Sequence, residues 1–245
     1  MYKIKCAEIW GGIKNAELDV CSAGITASLF SSSCDGGKGG DAYHFAVCGE
    51  DKLTRLVLAD VMGHGEEVSR ISQWVYDQLD AHMGDVDQAA IMQELNNRVV
   101  DHGYEALTTA VIVSYYLKNN HLYYSYAGHP PMLAQSGSSS WHDVKLPDTP
   151  EARNLPLGAK RNARYDMGEV PYQKGDRLFL YSDGVIEAPG RDRDLFGVDR
   201  LRSTLESAGD AAPMQIKSHI LAALREWTGG SLDHDDVTLV AIQLA

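Results

Sequence analysis

With 245 residues, 44% of them apolar, the chain is long enough to bury a full core, and it shows none of the polar, single-charge blocks of a disordered polypeptide. Its 34 acidic residues against 22 Lys and Arg give a formal net charge of -12, which argues against nucleic acid or an anionic membrane surface as partner. No window reaches the ~18 uninterrupted apolar residues of a spanning helix, since the best run, Ala106 to Leu117, is broken by Thr108, Thr109 and Ser114.

The stretch Met1 to Ile9 carries Lys3, Lys5 and Glu8, so it lacks a signal-peptide core, and a cytoplasmic protein is expected. Cys6, Cys21, Cys34 and Cys48 all fall early in the chain, without C-x-x-C or zinc-finger spacing, and are read as reduced, small buried hydrophobes. Segments rich in β-branched and aromatic residues predict strands at Tyr2 to Ile9, Ile25 to Phe30, Ala42 to Cys48 and Leu53 to Asp60. From Glu66 the period becomes helical through Val68, Ile71, Val75 and Leu79, and a second helix is predicted from Asp87 to Val100 through Ile91, Leu95 and Val99.

Strands return at Thr108 to Leu117 and His121 to Ala127, joined as a hairpin through Lys118-Asn119-Asn120, where asparagine tolerates a left-handed backbone. Met132 to Gln135 extends the meander before the polar turn Ser136-Gly137-Ser138-Ser139-Ser140, and the proline-bearing segment Leu146 to Gly158 reads as irregular. Strands follow at Arg164 to Val170 and Arg177 to Ser182, helices at Val198 to Ser207 and Pro213 to Trp227, and a last strand at Val237 to Gln243. Pro213 sits at a first-turn position of its helix. Strands, two helices, strands, two helices and a strand exclude a regular βαβ alternation, so an α+β fold of antiparallel sheets with outer helices is expected, as a single domain over 1–245.

Four acidic sites share one local grammar, an aspartate beside a turn-former at the end of an apolar strand. They are Gly39-Gly40-Asp41, Asp60-Val61-Met62-Gly63-His64-Gly65, Ser182-Asp183-Gly184 and His234-Asp235-Asp236. Each alone reads as an ordinary turn. Together they offer the oxygen ligands that Mg²⁺ and Mn²⁺ prefer, and carboxylates brought together repel unless a cation lies among them.

With these motifs stand Tyr126-Ala127-Gly128-His129-Pro130-Pro131, Leu155-Pro156-Leu157-Gly158, Tyr181-Ser182-Asp183-Gly184-Val185-Ile186-Glu187, Leu195-Phe196-Gly197 and Asp235-Asp236-Val237-Thr238. In this order they resemble the bacterial SpoIIE-like branch of the metal-dependent PPM, or 2C-type, serine/threonine protein phosphatases, over about the whole chain and most clearly from Gly39 onward. The resemblance implies a four-layer α-β-β-α sandwich of two antiparallel sheets flanked by helix pairs. It also implies two divalent cations, Mn²⁺ or Mg²⁺, activating a water against the phosphate ester.

Carried over by motif, Asp60 bridges both metals, the Val61 carbonyl is a backbone ligand, Asp183 and Asp235 complete the second metal, and Asp41 holds metal-bound water. Gly40 and Gly63 are expected to let backbone approach closely, and Asp236 to point away and orient the last strand. Asp60, Asp183 and Asp41 are thus the expected catalytic residues. The implied substrate is a phosphorylated regulatory protein of the anti-sigma-factor-antagonist kind.

The eukaryotic 2C relatives read Asp-Gly-His-Gly where this chain has Met62, so the acid that protonates the leaving alkoxide is not assigned by the motif. His64 is read as a polar loop residue, His129 as part of a turn, Glu187 as structural, and Lys38 is a candidate phosphate contact. Two rival readings stay open: a catalytically silent module that binds a partner regulator, and a hydrolase of small phosphorylated metabolites. Control by a separate partner and control by a homodimer formed through the helices after Glu66 are equally compatible with the spacing.

Overall fold

A computed structural model describes residues 7–22, 24–48, 53–63, 65–82, 84–85, 87–147 and 153–245. The first part of the chain forms β1 (Ala7–Lys14), β2 (Ala16–Cys21), β3 (Ile25–Ser32), β4 (Lys38–Cys48) and β5 (Leu53–Val61), followed by α1 (Glu66–His82) and α2 (Gln88–His102). After a 3₁₀ turn at Tyr104–Ala106 come β6 (Thr108–Tyr116), β7 (His121–Ala127), β8 (Leu133–Gln135), β9 (His142–Asp143), β10 (Gly168–Pro171) and β11 (Arg177–Tyr181). The chain ends with α3 (Asp183–Ile186), α4 (Gly197–Ser207), α5 (Pro213–Thr228) and β12 (Val237–Leu244). By their contacts these elements divide into two units, the first of residues 1–13, 39–129 and 145–172 and the second of 14–38, 130–144 and 173–245.

The first unit is built on a six-stranded sheet ordered β1-β4-β5-β6-β7-β10. The β6–β7 hairpin has the left-handed Asn120 that its sequence called for, at φ 52. The alternation of β5 and β6 turns Val57, Ala59, Val61, Ala110 and Ile112 to one face, where Ile71, Val75 and Leu79 of α1 and Ile91, Leu95 and Val99 of α2 pack against them. Those helical positions are the periodic ones read from the sequence. Asp87 caps α2, its carboxylate accepting from the Ala90 N–H at 3.0 Å.

The second unit has a sheet ordered β2-β3-β12-β11-β8-β9. Phe179, Tyr181, Leu239 and Ala241 form one core with Leu201 and Leu205 of α4 and Ile216, Ile220 and Leu224 of α5. The alternate residues Leu178, Leu180, Val240 and Ile242 are buried as well. Lys217 of α5 is buried too, with Nζ 3.1 Å from the Glu17 carboxylate of β2.

Each unit thus has a six-stranded sheet with antiparallel pairing and a helix pair packed on it, an α+β architecture. Several boundaries differ from the sequence reading. Residues 2–6 of the first expected strand lie outside the described residues, and the observed strand runs on to Lys14. The edge strand β2 was not foreseen. The strand expected from Arg164 begins only at Gly168, because the Arg164 carbonyl accepts from Asn154 N in a local loop. Among the described residues no helix is long and apolar enough to cross a membrane.

Leu224, fully buried under the second sheet, measures how much this packing contributes. Leu224→Ala is expected to lower the unfolding free energy by about 2–5 kcal/mol, read as a fall in the urea midpoint with little change in slope.

Candidate functional site

The candidate residues of the first unit lie where β4 and β5 run side by side. Their register sets Asp41 directly opposite Asp60 and Ala42 opposite Ala59. Ala59 packs toward the helices, so alternation turns Asp41 and Asp60 together onto the other face of the sheet. Asp41 is buried at 4% exposure. Paired positions hold Cβ atoms about 4.5–5.5 Å apart, and like charges set opposite one another are destabilising. A divalent cation bound there would turn that repulsion into attraction.

Beside the pair, a Cβ at Gly40 would stand 2.7 Å from the Val61 carbonyl oxygen and 3.3 Å from that of Gly63. Only glycine leaves the Val61 oxygen its space, and this oxygen is the expected backbone ligand. The Ser72 hydroxyl of α1 donates to the Gly40 carbonyl at 2.8 Å, tying the helix to the strand at this point. After Val61 the chain turns through Gly63, at φ 101, and Met62 N donates to the Leu107 carbonyl at 2.9 Å. The Met62 side chain stays half exposed. His64 lies outside the described residues.

On the other flank of β5, Asp60 faces Thr109 of β6. The Thr109 hydroxyl is 2.9 Å from Nδ1 of the buried His129. His129 follows Gly128, whose φ of 66 and close approach to Pro156 leave no room for a side chain. The Gly-His-Pro-Pro turn therefore brings a histidine to the strand neighbouring Asp60. Nothing in the spacing of the motif carried that information.

In the second unit Asp183 opens α3 directly after β11, with Ser182 before it. Ser182 N donates to the Thr238 carbonyl at 2.9 Å, and Thr238 N to the Ser182 hydroxyl at 3.0 Å, so the exits of β11 and the entry of β12 are held side by side. A Cβ on Gly184 would lie 2.0 Å from the Asp236 carbonyl oxygen. The turn carrying Asp183 is thereby pressed against the backbone carrying Asp235.

Burial pushes the Asp235 carboxyl above its usual range, the Asp236 N–H bond opposes this, and the charges of Asp183 and Asp236 add to it. Glu187 is raised by burial and then by Asp183 and Asp235, with His234 opposing. Glu187 thus feels the charges of Asp183 and Asp235, and its own backbone N–H caps α3 by donating to the Asp183 carbonyl at 2.8 Å. His234 Nε2 lies 2.8 Å from the Gly184 carbonyl. Asp236, by contrast, accepts from Cys34 N at 2.9 Å and so links the loop after β3 to the start of β12.

Asp41 with Asp60, and Asp183 with Asp235, are therefore brought together as pairs within their units. Lys38 is exposed at the start of β4. Among the described residues, no three or more His, Cys, Asp or Glu side chains gather into a cation-binding group. The donor set, carboxylates and one backbone carbonyl, fits a hard divalent cation and not a soft one.

Two antiparallel sheets with packed helices and aspartates at these strand ends define a protein with the fold of the PP2C-type, or PPM, phosphatases. The chain belongs to the stage II sporulation protein E (SpoIIE) family, whose model matches residues 50–245. It is 26% identical over 209 residues to phosphoserine phosphatase RsbU of Bacillus subtilis, an alignment covering 83% of this chain and 59% of RsbU. The chain thus spans about three-fifths of that relative's length.

Its fold matches the RsbU and RsbW domains of Rv1364c from Mycobacterium tuberculosis with a TM-score of 0.80 and 24% identity, over 96% of this chain and 64% of that one. It also matches RsbX, solved in complex with magnesium, with a TM-score of 0.70 and 19% identity over 94% of this chain and all of that one.

Gly184→Ala forces a Cβ onto a backbone oxygen that has no flexible end to move aside. A loss of about 1–3 kcal/mol is expected, seen as a melting temperature lower by about 2–4 °C per kcal/mol. Gly37→Ala, whose Cβ meets nothing within 4 Å, should melt within about 1 °C of the parent. Equal melting of the two variants would contradict the close approach of α3 to Asp236.

Proposed function

We propose that this chain is a metal-dependent protein phosphatase that hydrolyses phosphoserine or phosphothreonine on a regulatory protein. The observation that carries the reading is the register of β4 and β5, which sets Asp41 opposite Asp60 while Gly40 keeps the Val61 carbonyl open. Two carboxylates held opposite each other beside a cleared backbone oxygen make little sense as a structural device and good sense as cation ligands. The likeness to RsbU, a phosphoserine phosphatase, supports the same class of reaction.

In this reading Asp41, Asp60 and the Val61 carbonyl of the first unit and Asp183 and Asp235 of the second would hold two divalent cations, Mn²⁺ or Mg²⁺. Bound there, the cations would supply charge neutralisation at the phosphoryl oxygens and activation of the attacking water. The protein's own part is orientation. The Thr109–His129 contact holds the strand beside Asp60, the Ser72 bond holds Gly40, and the Ser182–Thr238 bonds hold Asp183 beside the start of β12. Met62 stands where the eukaryotic relatives carry histidine and cannot exchange a proton, so the leaving alkoxide takes its proton from another group.

The substrate we assign is a phosphorylated partner of the anti-sigma-factor-antagonist kind. The chain passes repeatedly between the two units, and we propose that they fold and work as one domain.

The test is phosphate release from a serine-phosphorylated antagonist protein with Mn²⁺ or Mg²⁺ present. Release should stop in EDTA and fall on the order of 100-fold or more in Asp60→Asn and Asp183→Asn, both still folded by circular dichroism. Undiminished activity in either variant would remove the assignment. Binding of the partner without any turnover at millimolar Mn²⁺ would favour the silent binding module. Turnover of small phosphate esters alone would favour a metabolite hydrolase.

A further inference from the structure

Among the described residues, two large apolar side chains stand out in the water at the end of the sheet that carries Asp60: Met62, 50% exposed, and Tyr104, 72% exposed. Their backbones are neighbours. Val61 pairs with Thr108 at the last register position of β5 and β6, and Met62 N then donates to the Leu107 carbonyl at 2.9 Å. Leu107 N in turn donates to the Tyr104 carbonyl at 3.2 Å. Met62 follows Asp60 by two residues, no more than about 7 Å of chain.

The fold holds both residues in place without burying them. Val61 turns into the helix-packed core, and Met62, next in the chain, stays out of it. Tyr104 begins the 3₁₀ turn, which is pinned on both sides. Gly103 N donates to the Val99 carbonyl and Ala106 N to the Gly103 carbonyl, each at 3.1 Å, and Ala106 is fully buried. The Thr108 hydroxyl secures the far side by donating to the Ala106 carbonyl at 2.7 Å.

A single exposed apolar side chain calls for no explanation. Two of them side by side, one on a fixed turn and the other beside an expected cation ligand, are a different case. Tyrosine and methionine are both enriched at protein interfaces, tyrosine as a rigid anchor and methionine as a side chain that adapts its shape. The neighbouring Asp41–Asp60 row sets what covers them. A phosphoserine brought to that row on a protein carries its flanking residues with it, and two residues of extended substrate span the same distance that separates Met62 from Asp60.

We propose that Met62 and Tyr104 form the contact surface for a bulky apolar residue beside the phosphoserine of the protein substrate. This contact rests on the phosphatase reading of Asp60 and adds the feature of the substrate that the rim of the site reads. The apolar residue covers the methionine and the tyrosine ring, and the area so buried anchors the phosphoserine next to the carboxylates. A substrate with small residues at the same places leaves both side chains in water.

Two short peptides form the matched probes. Each carries phosphonomethylalanine, a phosphoserine mimic that is not hydrolysed, and the two differ in having leucine or alanine on both sides of it. With Mg²⁺ present, titration of the full chain, labelled with ¹³C in its methionine methyl groups, should shift the Met62 signal saturably with the leucine peptide. The alanine peptide should bind at least about 5-fold more weakly, which corresponds to ~1 kcal/mol. In the double variant Met62→Ser, Tyr104→Ser the two peptides, followed by fluorescence anisotropy, should bind within about 2-fold of each other.

Equal affinity for the two peptides on the unmodified chain, or no saturable binding of the leucine peptide, would overturn the proposal. So would binding that leaves the Met62 signal in place, or a leucine preference undiminished in the double variant. None of these readouts uses turnover. A chain that prefers the leucine peptide but releases no phosphate from the matching phosphoserine peptide with Mn²⁺ or Mg²⁺ keeps the contact surface and loses the phosphatase reading.

Discussion

A single register constrains the candidate site of the first unit. Because β4 pairs with β5 so that Asp41 meets Asp60, two carboxylates share one face of a sheet at the distance of a cross-strand pair. The neighbouring placements build on this pairing and on the adjoining β5–β6 register. Gly40 must lack a side chain because it comes next to Asp41 and faces the Val61 carbonyl. The row Asp60–Thr109 brings in His129 through the threonine hydroxyl. A slip of one residue between β4 and β5 would send one aspartate into the helix-packed core, where Ala59 and Val61 now lie. The apolar face of the sheet therefore enforces the position of the polar one.

The second unit solves a similar problem by compression rather than by register. Asp183 and Asp235 stand on different segments, and contact comes from a glycine, since Gly184 lets α3 press against the Asp236 backbone. Asp236 is held by Cys34 N and by its own bond to Asp235, so the start of β12 is fixed on two sides. The consequence is visible in the upward shifts of Asp235 and Glu187, both caused by burial and by neighbouring carboxylates. Carboxylates raised by burial and by neighbouring charge cluster at functional sites.

Where the sequence carries a period, the fold was legible. Ile71, Val75 and Leu79, and Ile91, Leu95 and Val99, appear as buried stripes because helix packing depends only on spacing along one element. The β6–β7 hairpin was legible because Asn120 meets a local backbone demand. Strand β2 was missed because, as an edge strand with intermediate and exposed residues in alternation, it has little apolar signal of its own. It exists by pairing with β3, which local sequence does not encode.

The same distinction holds at the site. Asp41, Asp60, Asp183 and Asp235 were legible as strand-end carboxylates in a recognisable order, although Asp41 turns out to sit inside β4 and not before it. The partnership of Thr109 with His129 and the influence of Asp183 and Asp235 on Glu187 are tertiary facts, invisible until the chain is folded.

Arg55 and Gln88 extend this point to residues that no motif marks. Both are buried polar residues, Arg55 on the sheet face that elsewhere carries Val57, Ala59, Ala110 and Ile112 and Gln88 at the start of α2. An apolar pair of similar volume would satisfy packing there without leaving a carbonyl oxygen unpaired. Arg55 has a structural use, since its bond to the Asp85 carbonyl anchors the α1–α2 connection to the sheet. The Gln88 amide nitrogen has one as well, through Tyr123. The Gln88 oxygen accepts no hydrogen bond from the described residues, so only half of that carboxamide serves the fold.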